Sequence, residues 1–239
     1  MIPLLWALRD RRGKSAFLLG WLTGIAAMMG GFPWITDLIV KFGKMPTLVA
    51  FPITVLYNSY QALLFGLFAL MFTWFRDNTR LPKWLGGVLV IVVVEYFFPL
   101  IFPWYFAITQ AFVPWAIQIA EFTGPIGVSA LLLMGNGLLF QLLESGAAKR
   151  RPSVALLIPA LILVAVIGWS VYRRAQVARE SRDRFSIGIA MVQPNIGIPI
   201  ERQRWFGVKQ ILSHQRMSQF AEELRDRKEI PRLDLIVWS

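Results

Sequence analysis

The 239-residue chain contains no cysteine and a single histidine. Without cysteine these residues hold no disulfide, no thiolate metal site and no cysteine nucleophile. His214 cannot build a metal centre by itself, so neither metal nor cofactor is expected. Acidic residues are also scarce: 14 Asp and Glu stand against 25 Lys and Arg, a formal net charge of +11. Such an excess suits nucleic acid, anionic lipid or the cytoplasmic loops of a membrane protein. Here the basic residues cluster in short loops between apolar runs, which selects the membrane, and no nucleic-acid partner is expected. Met1–Arg9 is too short to be a secretory signal peptide.

What is plentiful is apolar surface. Hydrophobic residues make up 56% of the chain, with 18 Phe and 10 Trp, against about 45–50% apolar in ordinary soluble domains. The excess is concentrated in residues 1–172. Five apolar runs stand out there: Ala16–Ile35, Thr47–Phe75, Trp84–Ile101, Ile126–Leu143 and Val154–Tyr172. Each is near the roughly 17–25 residues needed to cross a bilayer. The second holds Pro52 and is expected to tilt or kink. Phe102–Thr123 is broken by Pro103, Pro114, Gln110, Gln118 and Glu121, while its aromatics suit a membrane interface. It reads as an extra-cytoplasmic loop with a short helix lying on or dipping into the membrane.

Orientation follows from Lys and Arg in the short loops. Arg9, Arg11, Arg12 and Lys14 precede the first run. Arg76, Arg80 and Lys83 follow the second, and Lys149, Arg150 and Arg151 follow the fourth. The intervening loops hold only Lys41 and Lys44, then none over 102–123. The N-terminus is therefore expected on the cytoplasmic side and the C-terminal segment outside.

After Tyr172 the pattern changes. Residues 173–184 read as a charged linker. Phe185, Ile187, Ile189 and Met191 alternate with small residues, the period of a buried strand. Trp205–Leu224 has helical spacing, and Leu233–Trp238 is a second apolar strand. Strand, helix, strand makes a βαβ unit. Two strands cannot bury both faces of a sheet by themselves. The expected fold is mainly α: a polytopic bundle of about five spans over 1–172, then a partial α/β domain over 185–239.

Several ordered segments resemble the apolipoprotein N-acyltransferases of bacterial inner membranes. Ile2–Arg9 looks like the tail of that family's second span, and Gly20–Ile35 followed by Phe42-Gly43 and Pro46 like the third. Glu95 followed by Phe102-Pro103-Trp104 is similar to the family's Glu-bearing span and its aromatic loop. Gln118, Gly124, Gly127-Val128-Ser129 and Asn136 resemble the entry to the sixth span. Val192-Gln193-Pro194-Asn195-Ile196 and Asp234–Trp238 resemble strands of a nitrilase-like domain, the second leading to the family's catalytic glutamate.

The resemblance implies an inner-membrane enzyme. It would move an acyl chain from a membrane phospholipid to the N-terminal diacylglyceryl-cysteine of a lipoprotein. A Cys thiolate would attack the acyl ester, a glutamate would take its proton and a lysine would steady the oxyanion. None of these three positions is present up to Ser239, so no catalytic residue is assigned. The chain is expected to be a portion of a longer protein or the product of a disrupted gene, inactive alone.

The candidate lipid or substrate contacts are Glu95, Phe102, Pro103, Trp104, Asn136 and Trp205, and each has a plain alternative. An intramembrane carboxylate such as Glu95 is a functional candidate by default, yet near Phe102 it could simply reach the headgroups. Asn136 reads as an interhelical hydrogen-bond former before a substrate contact. Phe102-Pro103-Trp104 reads as an interfacial anchor or a lipid-entry loop. Trp205 reads first as helix packing, His214 as a solvated helix residue, and Gly20 and Gly24 as a close helix contact. Two other functions compete: a non-catalytic membrane protein binding lipid or a partner subunit, and a small transporter. The second lacks the internal repeat expected of one.

Overall fold

A computed structural model describes residues 1–149, 151, 153–182, 184–195 and 206–238. It divides into two compact units, Met1–Val177 and Ala178–Ser239.

The first unit is helical. α1 (Ile2–Ala7) and α2 (Gly13–Gly31) are followed by α3 (Trp34–Gly43), α4 (Thr47–Asn78) and α5 (Lys83–Phe97). Then come a 3-10 turn at Phe106–Gln110, α6 (Pro114–Ile117), α7 (Ala120–Ala147) and α8 (Leu157–Glu180). Among the described residues three helical segments are long and apolar enough to cross a membrane: Thr47–Asn78, Ala120–Ala147 and Val154–Glu180. A fourth arises if α2 and α3, bent by 64°, are taken as one span.

The differences from the expected runs trace to proline. The first run was expected to end at Ile35. Instead α2 stops at Gly31, Phe32 leaves the helical region at φ −127° and ψ 47°, and α3 starts after Pro33. The ring of Pro33 disfavours helix at Phe32. In the same way α5 ends at Phe97, four residues before the expected Ile101, because Phe98 precedes Pro99 and turns extended. At 15 residues it is about 22 Å long, short of the hydrocarbon thickness. α4 runs unbroken through Pro52 for 32 residues, or about 48 Å, so it must tilt or project from the bilayer. In α7, Gly124 has φ 62° and ψ −166°, a conformation open essentially to glycine. The helix proper therefore restarts at Pro125, where a missing N–H costs nothing.

α4 is the hub. Phe65, Phe68, Ala69 and Phe72 are buried against Val90, Ile91 and Val94 of α5, Leu133 and Phe140 of α7, Leu4 and Leu5 of α1, and Leu8 just after it. α2 lies close against α4 because Gly20 and Gly24 face Phe65, Ala69 and Ala62. α5 and α7 meet where Gly137 leaves room for the Trp84 backbone. Gln141 of α7 also accepts from Trp84 N at 2.9 Å, capping the start of α5. Arg76 closes the α1–α2 turn. Its guanidinium donates to the carbonyls of Leu8 (2.6 Å), Arg9 (2.9 Å) and Arg11 (3.0 Å).

In the second unit β1 (Ile189–Val192) pairs in parallel with β2 (Leu235–Trp238), with α9 (Phe206–Asp226) between them in sequence. Ile189 lies opposite Leu235 and Val192 opposite Trp238. The strand expected from Phe185 begins only at Ile189, because the ladder starts there. Gly188 O accepts from Asp234 N at 2.8 Å, and no partner extends further back among the described residues. The expected buried face is not buried: Met191 is 84% exposed, and Ile189, Leu235 and Val237 share its side. Alternation selects a face, but two strands offer nothing to cover the second one.

Asp234 ties the strand ends together. Its carboxylate accepts from Gly188 N at 2.8 Å and pairs with Arg232. The Gly188 N–H first, and Arg232 second, hold this carboxyl below its ordinary value of 3.8. A depressed folded value means the contribution is complete above the unfolded value and lost as pH falls through the folded one. Protection of the Gly188 amide proton, taken relative to its intrinsic exchange rate at each pH, is therefore expected to fall as pH drops below 3.8. An Asp234→Asn variant should exchange faster at neutral pH and lose that pH dependence. An unchanged profile in the variant would remove Asp234 from this role.

Candidate functional site

The site forms where α5 ends and the chain loops back to α7. Glu95 lies in the last turn of α5, two residues before its end. It is only 3% exposed, so it does not reach toward headgroups. Its Oε1 accepts from Phe106 N at 2.7 Å. Its Oε2 is buried with no hydrogen-bond partner among the described residues. Ser129 of α7 stands beside it, fully buried, and its Oγ accepts from Ala107 N at 2.9 Å. Two successive backbone N–H groups of the loop are thus held by side chains from two different helices. Buried backbone donors need such partners. The arrangement makes Glu95 a positioning group for the loop.

The loop is pinned at its start as well. Tyr60 of α4 donates to Pro99 O at 2.6 Å, and Gln61 Oε1 accepts from Ile101 N at 3.4 Å. Phe102 is half exposed and lies against Tyr57, with ring centroids 6.0 Å apart. Pro103 is exposed. Trp104 turns inward between Phe32 and Phe65, at 6.0 and 6.4 Å. So the Phe-Pro-Trp segment splits: Phe102 and Pro103 face outward, while Trp104 fixes the segment to the end of α2 and the middle of α4. Phe112, further along, is 98% exposed. The product is a rigid loop with an outward apolar rim, suited to a membrane interface.

Asn136 is elsewhere. Its Nδ2 donates to Leu132 O of its own helix at 2.7 Å, so the expected interhelical bond is not made. Residue i−4 was simply the nearer acceptor. Its side chain lines an apolar cavity of about 270 Å³ with Trp115, Leu132, Leu139, Leu163 and Ile167. Glu121 and Arg173 form an ion pair at 2.7 Å between α7 and α8. Trp205 lies outside the described residues. His214 is not solvated as expected. It is half-buried, its ring lies 5.1 Å from that of Trp238 at a tilt of 37°, and its Nδ1 lies 2.8 Å from Gln210 O. Trp238 Nε1 in turn donates to Ser218 Oγ at 2.9 Å.

The structure therefore brings together Glu95, Phe102, Pro103 and Trp104, and leaves Asn136 apart. It adds Ser129, which entered only as part of the family resemblance, and Tyr60 and Gln61, which pattern reading passed over. Their only sequence signal was a polar side chain inside an apolar run.

Fold and site define a helical membrane protein with a Glu-anchored aromatic loop and the opening of an α/β unit. Residues 1–138 match the family model described as the apolipoprotein N-acyltransferase N-terminal domain. The chain is 31% identical over 247 aligned positions to the apolipoprotein N-acyltransferase of Geobacter metallireducens, covering 99% of this chain and 44% of that protein. It is 26% identical to apolipoprotein N-acyltransferase 2 of Leptospira interrogans over 193 positions, 76% of this chain and 32% of the relative. It is 27% identical to the Bdellovibrio bacteriovorus apolipoprotein N-acyltransferase over 169 positions, 66% of this chain and 30% of the relative. The chain belongs to the apolipoprotein N-acyltransferase family, and it spans less than half the length of these curated relatives.

Proposed function

We propose that these residues form the membrane portion, and the first βαβ unit, of an enzyme that acylates lipoproteins. The acyl chain would leave a membrane phospholipid and end on the N-terminal amine of a diacylglyceryl-cysteine. The observation that carries this reading is the unbroken family match over 1–138, which includes the Glu95 loop and Ser129. In this reading α2, α4, α5, α7 and α8 are five spans, α5 being the short one. The basic loops lie on the cytoplasmic side of the inner membrane. The Glu95 loop and the unit after α8, the start of a nitrilase-like domain, lie on the other. Phe102, Pro103 and Trp104 then form the interfacial edge past which a lipid reaches the catalytic domain. Asn136 and Trp205 are weaker candidates for the same contact.

The chemistry needs a thiolate to hold the acyl group between donor and acceptor. The 239 residues contain no cysteine. An acyl-transfer assay on this chain alone, with phospholipid and a diacylated lipopeptide, is expected to give no triacylated product by mass spectrometry. Turnover would overturn the assignment of the first step to a thiolate. Lipid binding without transfer, persisting even when the chain is extended to its relatives' full length, would favour a non-catalytic lipid-binding role.

A further inference from the structure

The three basic loops meet at the end of the bundle opposite the Glu95 loop. Arg76 reaches the α1–α2 turn, Arg12 pairs with Asp77 at 3.0 Å, and Lys83 pairs with Glu144 at 2.6 Å. Between them opens a cleft of about 660 Å³, lined by Trp6, Arg9, Lys83, Glu144 and Ser145. Apart from Asp10, Asp77 and Glu144, every charged residue over 1–14, 76–83 and 144–151 is basic.

The cations here are not equivalent. Arg76 spends its donors on three carbonyls and Asp77. Lys83 gives two of its three donors to Glu144. Arg9 differs. Its guanidinium lies 5.0 Å from the centre of the Trp6 ring and makes no hydrogen bond among the described residues. The carboxylate of Asp10 is 4.0 Å away and itself 88% exposed. A planar fork of N–H donors is thus presented to a cleft whose other cation, Lys83, is the first residue of α5. The positive end of that helix dipole adds to the field. This geometry matches a tetrahedral oxyanion taken bidentately.

We propose that the cleft binds the phosphodiester of an anionic phospholipid, with Arg9 as the bidentate donor and Lys83, shared with Glu144, as the second cation. A lipid is favoured over free phosphate by position. The cleft sits at the ends of membrane-crossing helices, and Trp6, 40% exposed and edge-on to Phe140, supplies an interfacial aromatic beside it. The net positive charge of the three loops selects an anionic headgroup over a zwitterionic one. The site is independent of the acyl-transfer reading, since it lies at the other end of the helices.

The test is lipid binding by native mass spectrometry on the purified chain. Phosphatidylglycerol is compared with phosphatidylcholine of the same acyl chains. A preference of roughly five- to tenfold for the anionic lipid is expected, the range one interfacial Arg contributes. Arg9→Gln should erase most of it. Arg9→Lys should keep part, and serves if Arg9→Gln fails to fold. Arg12→Gln, an equal charge loss outside the cleft, should retain it. Absence of a preference overturns the proposal. So does equal loss in the Arg9 and Arg12 variants, which would mean diffuse loop charge. Displacement of the lipid by millimolar inorganic phosphate would transfer the site to free phosphate and also overturn it.

Discussion

Replacing Gly20 by leucine is expected to unseat α2 from α4 and lower the thermal midpoint in detergent by roughly 10 °C. A Cβ at this position would stand 2.6 Å from Ala69 Cβ and closer still to the Phe65 carbonyl oxygen. Neither can yield, since one is a methyl on a packed helix and the other is backbone. The helices must separate, and Phe65 and Ala69, both buried, lose their packing. Overpacking of this kind costs about 3 kcal/mol or more where no side chain can move aside. Gly24→Ala should be milder, because its Cβ would meet Ala62 and Phe65 atoms at 2.9–3.0 Å, a displacement of a few tenths of an ångström. Tryptophan fluorescence melts of the three chains rank them directly. Gly20→Leu melting with the wild type would show that the α2–α4 contact is not as close as described.

The second large effect is at Glu95. Glu95→Ala should leave Phe106 N–H buried and unpaired, at about 1–3 kcal/mol, and open a void beneath the loop. Residues 98–113 should then exchange amide protons faster and become open to protease, while α4 and α7 stay protected. Glu95→Gln keeps the shape and the acceptor oxygen for Phe106 N, and should destabilise less than Glu95→Ala. The contrast between the two variants is the informative readout. If both loosen the loop equally, the carboxylate does more than anchor it. If neither does, Ser129 and Tyr60 hold the loop without it. If the proposed function holds, the alanine variant of a protein extended to its relatives' length should also lose acyl transfer through misplacement of Phe102 and Trp104.

The elements that the sequence made legible depend on near neighbours. Proline and glycine positions carried the ends of α2 and α5 once the residue before proline is considered, although the apolar runs alone overran both. The restart of α7 at Pro125 was within one residue of the expected Ile126. Period-two alternation located β1 but overran it by four residues, because a strand is only as long as its partner, and β2 begins 46 residues after Ile189.

The site divided the same way. Glu95, Phe102, Pro103 and Trp104 were selected by residue type and order, and Glu95 holds the loop that contains the other three, through Phe106 N. What Glu95 does could not be read, because the N–H it holds comes from a loop 11 residues on, and the Ser129 that holds the next N–H comes from a helix 34 residues on. Asn136 and His214 show the same limit in reverse. Each has a polar group satisfied within its own helix, a bond that spacing permits but does not require.

By itself the sequence determined that the chain carries apolar runs of about membrane-spanning length, that its basic residues gather in the short segments between them, and that a cysteine-dependent step has no nucleophile among these residues. These are properties of composition and short-range pattern, and they hold whatever the packing. Only the tertiary structure decided that Glu95 turns inward to hold a loop, that Trp104 faces the core while Phe102 does not, and that Arg9 is left with unspent donors beside Lys83. Those outcomes depend on which distant group arrives within hydrogen-bonding reach, and long-range packing alone sets that.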